Sequence, residues 1–168
     1  PAGDGLVAPA SQGAEAPADW GNLRSPENYV GLARTAGLAI ATSPGELRTY
    51  GPPPARLRIN EWAPAGDWVL GSESAVLQRA NGRIAYAFHA RDLHLVMGPS
   101  DAAKPIRFRV LIDGKPPGIA HGLDVDEQGF GTVSSPRMYQ LIRQTGQVRD
   151  SRFEIEFIDP GVEVFSFT

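Results

Sequence analysis

The chain has 168 residues, 42% of them hydrophobic and 21% charged, which is the composition of one globular domain rather than a disordered chain. Its net charge of -3 provides no basic excess, which argues against binding to nucleic acid or to an anionic membrane surface. It contains no cysteine, so it has no disulfide, no thiolate metal site and no thiol redox chemistry of its own.

Residues 1–19 open the chain and are rich in small residues and proline, without apolar periodicity. This composition predicts a linker from a missing upstream domain, and residues 20–168 are predicted to form one domain. Ser25, Pro26 and Glu27 then carry helix-start signals: a Ser cap, Pro at the first helical position and an acid in the first turn. We expect one short N-terminal helix, or a pair of turns, at this point.

From Leu57 onward, apolar and polar residues alternate with the period of two that is typical of half-buried strands. The clearest stretches are residues 56–60, 83–89, 107–112 and 153–157. Asn81-Gly82 predicts a hairpin, while Asp113-Gly114 and Asp159-Pro160-Gly161 predict turns after strands. Eight or more short strands with almost no helix predict an all-β fold of the sandwich class. The residues expected to point into its core are Ile84, Phe88, Phe108, Val110, Ile155 and Phe157.

Two groups of residues have the chemistry of metal ligands. His89 and His94 could bind zinc with either His121 or Asp92 as a third ligand, but their spacing matches no standard zinc motif. Asp124 and Asp126 precede a Gly-containing turn and could offer oxygen ligands to Ca²⁺, although the other ligands of an EF-hand loop are missing. The structural alternative is that the histidines are polar hairpin residues and the acids accept backbone hydrogen bonds. No other cofactor is expected.

Glu154 and Glu156 lie two residues apart on one predicted strand face, a placement that invites comparison with the carboxylate pair of a glycoside hydrolase. Arg107 and Arg109 show the same spacing on another strand, and opposite charges on neighbouring strands stabilise sheets. We favour that structural interpretation. The sequence also contains no nucleophile elbow, phosphate loop or dinucleotide fingerprint, so we predict no catalytic residue and no enzyme activity.

Trp62 and Trp68 bracket the segment 63–67, which is predicted to be rich in turns. Aromatic rings near a strand end can stack on a pyranose, while Arg91, Asp92 and His94 could bind its hydroxyls. These five residues are therefore the candidate ligand-binding site. The alternative is that both tryptophan rings fill the end of the core.

Several segments together resemble the C-terminal module of DipZ-type proteins, which are fusions of CcdA-like and TlpA-like thioredoxin parts implicated in cytochrome c biogenesis and thiol–disulfide exchange. The segments are NLRSPENYVG, NEWAPAGDWVLGSESAVL, FHARDLHLVMG, RFRVLIDGKPPG, HGLDVDEQGFGTV and FEIEFIDPGVEVFSFT. The resemblance covers roughly residues 20–168. It implies a two-sheet jelly roll, like carbohydrate-binding modules and galactose-binding-like domains, downstream of a thioredoxin-like domain in cis. It also implies a membrane-anchored parent with its redox part on the periplasmic or extracytoplasmic side.

Two functions follow as hypotheses. In the first, the domain is a non-catalytic carbohydrate-binding-module-like accessory that positions the redox domain by binding a glycan. In the second, it is a structural or protein-interaction module that packs on the thioredoxin domain and shapes its substrate choice. The fold class alone does not decide between them. An exposed aromatic cleft would favour the first hypothesis, and an apolar patch near the N-terminal linker would favour the second.

Overall fold

The computed structural model describes Pro17 and residues 19–168, so the linker predicted over residues 1–19 falls almost entirely outside the described residues. Within this range no helix is long and apolar enough to cross a membrane. Two 3-10 helices lie at Trp20–Asn22 and Gly118–Ala120. The eleven strands of the described residues are β1 (Asn28–Tyr29), β2 (Leu47–Tyr50), β3 (Trp62–Leu70), β4 (Ala75–Leu77), β5 (Gly82–Phe88), β6 (Asp92–Pro99), β7 (Ile106–Ile112), β8 (Phe130–Val133), β9 (Arg137–Arg143), β10 (Ser151–Phe157) and β11 (Val162–Phe167).

These strands form one curled antiparallel sheet in the order β8-β7-β10-β5-β3-β4-β11-β6-β9, with β1 beside β11 and β2 beside β3. Strand β3 serves both halves of the sheet, because its first residues pair with β5 and its last residues pair with β2 and β4. Gly66 lies where the pairing changes and has φ +94, a conformation that favours glycine. The predicted turn-rich segment 63–67 is therefore strand instead, and the predicted β-rich class is confirmed.

The core lies between the two halves of the curled sheet. Tyr86 on β5 stacks on Phe167 of β11 with ring centroids 4.3 Å apart, and Trp68 on β3 meets Phe157 of β10 edge-on at 6.0 Å. Strand β10 shows the strict alternation of buried and half-buried residues that packing on one face requires. All six residues predicted to point inward are fully buried, which confirms that part of the register.

The helix predicted after Ser25 is not formed, and Asn28 and Tyr29 instead make β1 against Phe167 and Ser166. The Ser25 hydroxyl accepts a hydrogen bond from the His89 backbone N–H at 2.8 Å, so a tertiary contact uses the group that would have capped a helix. A turn then follows at residues 32–34.

Two further predictions are wrong: the strand over residues 56–60 and the hairpin at Asn81-Gly82. Residues 56–60 are not a strand; they follow the Pro52-Pro53-Pro54 run, which has no backbone donors for a ladder. Asn81 has the positive φ of 65 that an Asn-Gly turn requires, but it does not close a hairpin. Strands β4 and β5 on either side of it both pair with β3 rather than with each other, since β3 is long enough to take one partner per half.

Candidate functional site

The N-terminal arm, defined as Pro17 and residues 19–25, is fastened to one end of the sheet. The backbone N–H of Arg24 donates to the His89 carbonyl at 2.9 Å, and the His89 N–H in turn donates to Ser25 Oγ at 2.8 Å. Arg91 Nη2 donates to the Pro17 carbonyl at 2.8 Å. The direction in which the chain enters the domain is therefore set by the connection between β5 and β6.

The arm presents two large apolar side chains to solvent. Trp20 is 78% exposed and Leu23 is 40% exposed. Trp20 begins the first 3-10 helix, which is closed by a hydrogen bond from Asn22 Nδ2 to Asp19 Oδ2 at 2.8 Å. An exposed tryptophan on an ordered turn is typical of interaction surfaces, where Trp contributes much of the binding energy.

A cleft of about 730 Å³ lies at the same end of the sheet as the arm. Gln144 connects the two features, because its backbone N–H donates to the Arg91 carbonyl at 2.7 Å and its Nε2 donates to the Ala90 carbonyl at 3.0 Å. The cleft is lined by Ile112, Asp113, Lys115, Pro116, Pro117, Ile119, Ala120, Gln144, Thr145, Gln147 and Arg149. Ile119 is 78% exposed at its rim.

Three of the predicted ligand-binding residues lie together near the arm, but their polar groups are largely engaged. Asp92 accepts from Arg91 Nη2 at 2.7 Å and from Arg143 Nε at 2.6 Å. Burial on its own would raise the pKa of Asp92, but the hydrogen bonds from Arg143 and Arg91 hold that pKa below its usual value. The carboxylate is thus the centre of an internal ion-pair network.

His94 stands two residues along β6 and is half-buried. Its Nε2 is buried without a hydrogen-bond partner among the described residues. Burial lowers the pKa of His94, while the nearby carboxylates of Asp92 and Asp124 oppose this and the Arg143 guanidinium adds to it. Burial of the ring thus favours its neutral form.

The other two predicted ligand-binding residues, Trp62 and Trp68, have 0% exposure. The indole N–H of Trp62 donates to Thr35 Oγ1 at 2.9 Å, and that of Trp68 donates to the Ala65 carbonyl at 2.8 Å. Both indoles are thus satisfied inside the core, as the alternative interpretation predicted. Neither ring has a face open to a sugar.

The two candidate calcium ligands are engaged in protein contacts. Asp124 accepts from Arg137 Nη2 at 2.8 Å and from the Gln140 backbone N–H at 2.8 Å. Asp126 Oδ1 accepts from the backbone N–H groups of Gln128 and Phe130, both at 2.9 Å. These are the backbone contacts of the structural alternative. Across the described residues no three His, Cys, Asp or Glu side chains are grouped so as to hold a metal ion.

Opposite charges alternate on the outer face of the sheet, where the Glu154 and Glu156 pair lies. Glu156 stands directly between Arg109 on β7 and Arg83 on β5, and Arg83 Nε lies 3.8 Å from its carboxylate. Glu154 accepts from Arg152 Nε at 2.9 Å. The cross-strand ion pair is therefore found for Glu156, whereas Glu154 is paired within its own strand β10.

The residues of the arm and of the cleft were not predicted from the sequence. Trp20 falls just after the predicted linker, and its position before the first strand offered no periodic pattern to interpret. Lys115 and Ile119 come from the connection between β7 and β8, and Gln144 comes from the connection between β9 and β10; only the fold brings the two connections together. The one sequence signal for Trp20 was that it is a large apolar residue isolated in a polar segment without periodicity.

The chain matches a known protein family and is similar to curated proteins. The profile of a family described as "Thioredoxin like C-terminal domain" matches residues 25–168. Protein DipZ of Mycobacterium bovis and Protein DipZ of Mycobacterium tuberculosis are each 27% identical over 145 residues, which is 86% of this chain. The chain spans only 18% of the length of these curated relatives. The resemblance to the C-terminal module of DipZ-type proteins is confirmed.

Proposed function

The chain belongs to the family of thioredoxin-like C-terminal domains, and on that premise we propose that it is a non-catalytic accessory domain of a thiol–disulfide oxidoreductase. We propose further that it packs on a thioredoxin-like domain upstream in the same polypeptide. The single observation that carries the proposal is the N-terminal arm, which fixes the direction of the incoming chain and leaves Trp20 exposed beside it.

The physical argument starts from the tether. An arm held by hydrogen bonds to His89 and Arg91 makes the chain join this domain at one end of the sheet, so an upstream domain is tethered nearest to that end. Trp20 and Leu23 are the large apolar side chains that the arm exposes at that end. Covering them would remove apolar surface from water and stabilise the packed arrangement.

The chain contributes no thiol, so the electron transfer of such a protein would take place outside this domain. The parent protein in this proposal is membrane-anchored, with both domains on the extracytoplasmic side. The finer fold assignment, a galactose-binding-like jelly roll of two sheets, is also part of the proposal. It is supported by the two halves of the curled sheet that pack face to face.

Binding of a glycan is the finer alternative for how the redox domain is positioned. Trp62 and Trp68, on which that hypothesis depended for stacking, are fully buried, and Arg91 and Asp92 are paired with each other. We therefore favour packing on the thioredoxin-like domain. A glycan array followed by titration calorimetry tests this preference, and a saccharide that binds at millimolar concentration would reverse it.

The packing itself is tested by Trp20→Ser in a polypeptide that contains both domains. Hydrogen exchange of residues 19–25 should be slower in the two-domain protein than in the isolated domain, and Trp20→Ser should abolish the difference. Leu47→Ser is the matched control, because Leu47 is 57% exposed but lies on edge strand β2, outside the arm and the cleft. Equal exchange with and without the upstream domain would refute the packing.

A further inference from the structure

We infer that the cleft beside the N-terminal arm binds an extended, acidic polypeptide segment. The inference rests on the proposed function in one respect: the polypeptide would be a substrate presented to the neighbouring redox domain. The cleft encloses about 730 Å³, which lies within the range of protein ligand sites.

One wall of the cleft is apolar and has no aromatic ring. Pro116, Pro117 and Ile119 provide it, and Ile119 is 78% exposed because none of the described residues covers it. Saccharide sites depend on an aromatic face to pack against the sugar ring, and this lining offers none. Aliphatic and proline surface instead suits the alternate side chains of an extended peptide.

Another wall of the cleft carries amide and hydroxyl groups suited to a peptide backbone. Thr145 and Gln147 are exposed and make no side-chain hydrogen bond with other described residues. Gln144 is held in place by its bond to the Ala90 carbonyl, which fixes this wall relative to the arm. Such groups can both donate to peptide carbonyls and accept from peptide N–H groups.

The charge of the cleft selects the kind of peptide. Arg149 is paired with Asp113 at 3.2 Å, whereas Lys115 makes no ion pair with the described residues. The lining therefore carries a net positive charge in a chain whose overall charge is -3. The ammonium group of Lys115 would attract a carboxylate of the ligand, although the chain as a whole is negatively charged. Salt would weaken this attraction.

The experiment measures fluorescence anisotropy of two labelled ten-residue peptides with the domain alone. One peptide repeats serine, valine and glutamate, and its twin replaces every glutamate with lysine. The acidic peptide should bind at least tenfold more tightly than its twin, and more weakly as salt rises. Lys115→Glu should lower its affinity at least tenfold, while Lys104→Glu, at a residue with an 82% exposed side chain outside the cleft, should leave it unchanged.

Ile119→Ser tests the apolar wall and should weaken binding of the acidic peptide, with Leu123→Ser as control because Leu123 is 62% exposed and outside the cleft. Circular dichroism of each variant confirms its fold. Absence of binding, equal binding of both peptides, or equal effects of the two lysine variants would overturn the inference. This assay contains no redox domain. A failure of peptide binding would therefore not affect the hydrogen-exchange test of packing.

Discussion

Gly82, at the start of β5, and Leu77, at the end of β4, provide a quantitative test of core packing. A β-carbon at Gly82 would lie 2.1 Å from Leu77 Cδ1 and 3.1 Å from Leu77 Cγ. The obstacle is thus the Leu77 side chain, which is 1% exposed in the core, and not the backbone. Removing that side chain should make room for the methyl group of Gly82→Ala.

The expected energies follow from this geometry. Gly82→Ala on its own should cost roughly 1–2 kcal/mol, since overpacking is offset in part by the lower entropy of the unfolded chain. Leu77→Ala should cost roughly 3 kcal/mol through lost burial and the cavity it leaves. In the double variant the new methyl group enters that cavity. The double variant should therefore be more stable than the sum of the single changes implies, by about 1–2 kcal/mol.

Urea denaturation of the four proteins measures these free energies of unfolding. Gly51→Ala serves as the control, because a β-carbon there meets nothing within 4 Å, so its effect should simply add to that of Leu77→Ala. If the Gly82 and Leu77 effects also add, within about 0.3 kcal/mol, the contact between them does not govern packing and the reasoning fails.

Four further predictions concern pH, the core and redox activity. Because the pKa of His94 is lowered in the folded state, the unfolded state binds more protons, and stability should fall as the pH drops through about 6.5; His94→Gln should remove that loss in pH-dependent urea titrations. Hydrogen bonds from the Arg107 side chain and backbone lower the pKa of Asp159 to about 2, so its stabilisation is present above pH ~4 and is lost between pH ~4 and 2. Asp159→Asn should abolish this acid dependence at a cost below about 1 kcal/mol at pH 7, and an unchanged acid titration would contradict it. Phe108→Ala, at a fully buried ring, should cost roughly 3–5 kcal/mol, and a near-neutral midpoint would refute its place in the core. The isolated domain should not reduce insulin disulfides, and any turnover above a buffer blank would contradict the non-catalytic assignment.

Local periodicity was enough to predict much of the sheet. Phe153, Ile155 and Phe157 alternate with polar residues, and this pattern survives because one face of β10 packs on the core. The hairpin error arose because a local turn signal does not specify which neighbouring strands pair with each other. The Asn81 turn has the predicted backbone, yet the choice of β3 as partner for both flanking strands depends on the length of β3, which no local signal encodes.

The candidate site was harder to predict because burial is a property of the whole fold. Trp62 looked available for stacking, but its indole N–H finds Thr35, 27 residues away, and the ring is enclosed. Ser25 carried a helix-cap signal, but His89 uses its hydroxyl from 64 residues away. Lys115 and Ile119 lie in the β7–β8 connection, which has no periodicity, so only the assembled domain shows that they share a cleft with Gln144 of the β9–β10 connection.

The pairing of β1 with β11 has a consequence for synthesis on the ribosome. Strand β11 is the last in chain order, yet it sits inside the sheet between β4 and β6 and also holds β1 at Asn28 and Tyr29. Contacts of such long sequence separation form slowly, because the chain must close a loop of nearly its full length first. A nascent chain cannot complete this half of the sheet until β11 has emerged. Any domain encoded upstream would fold first and wait, still uncovered, for its neighbour.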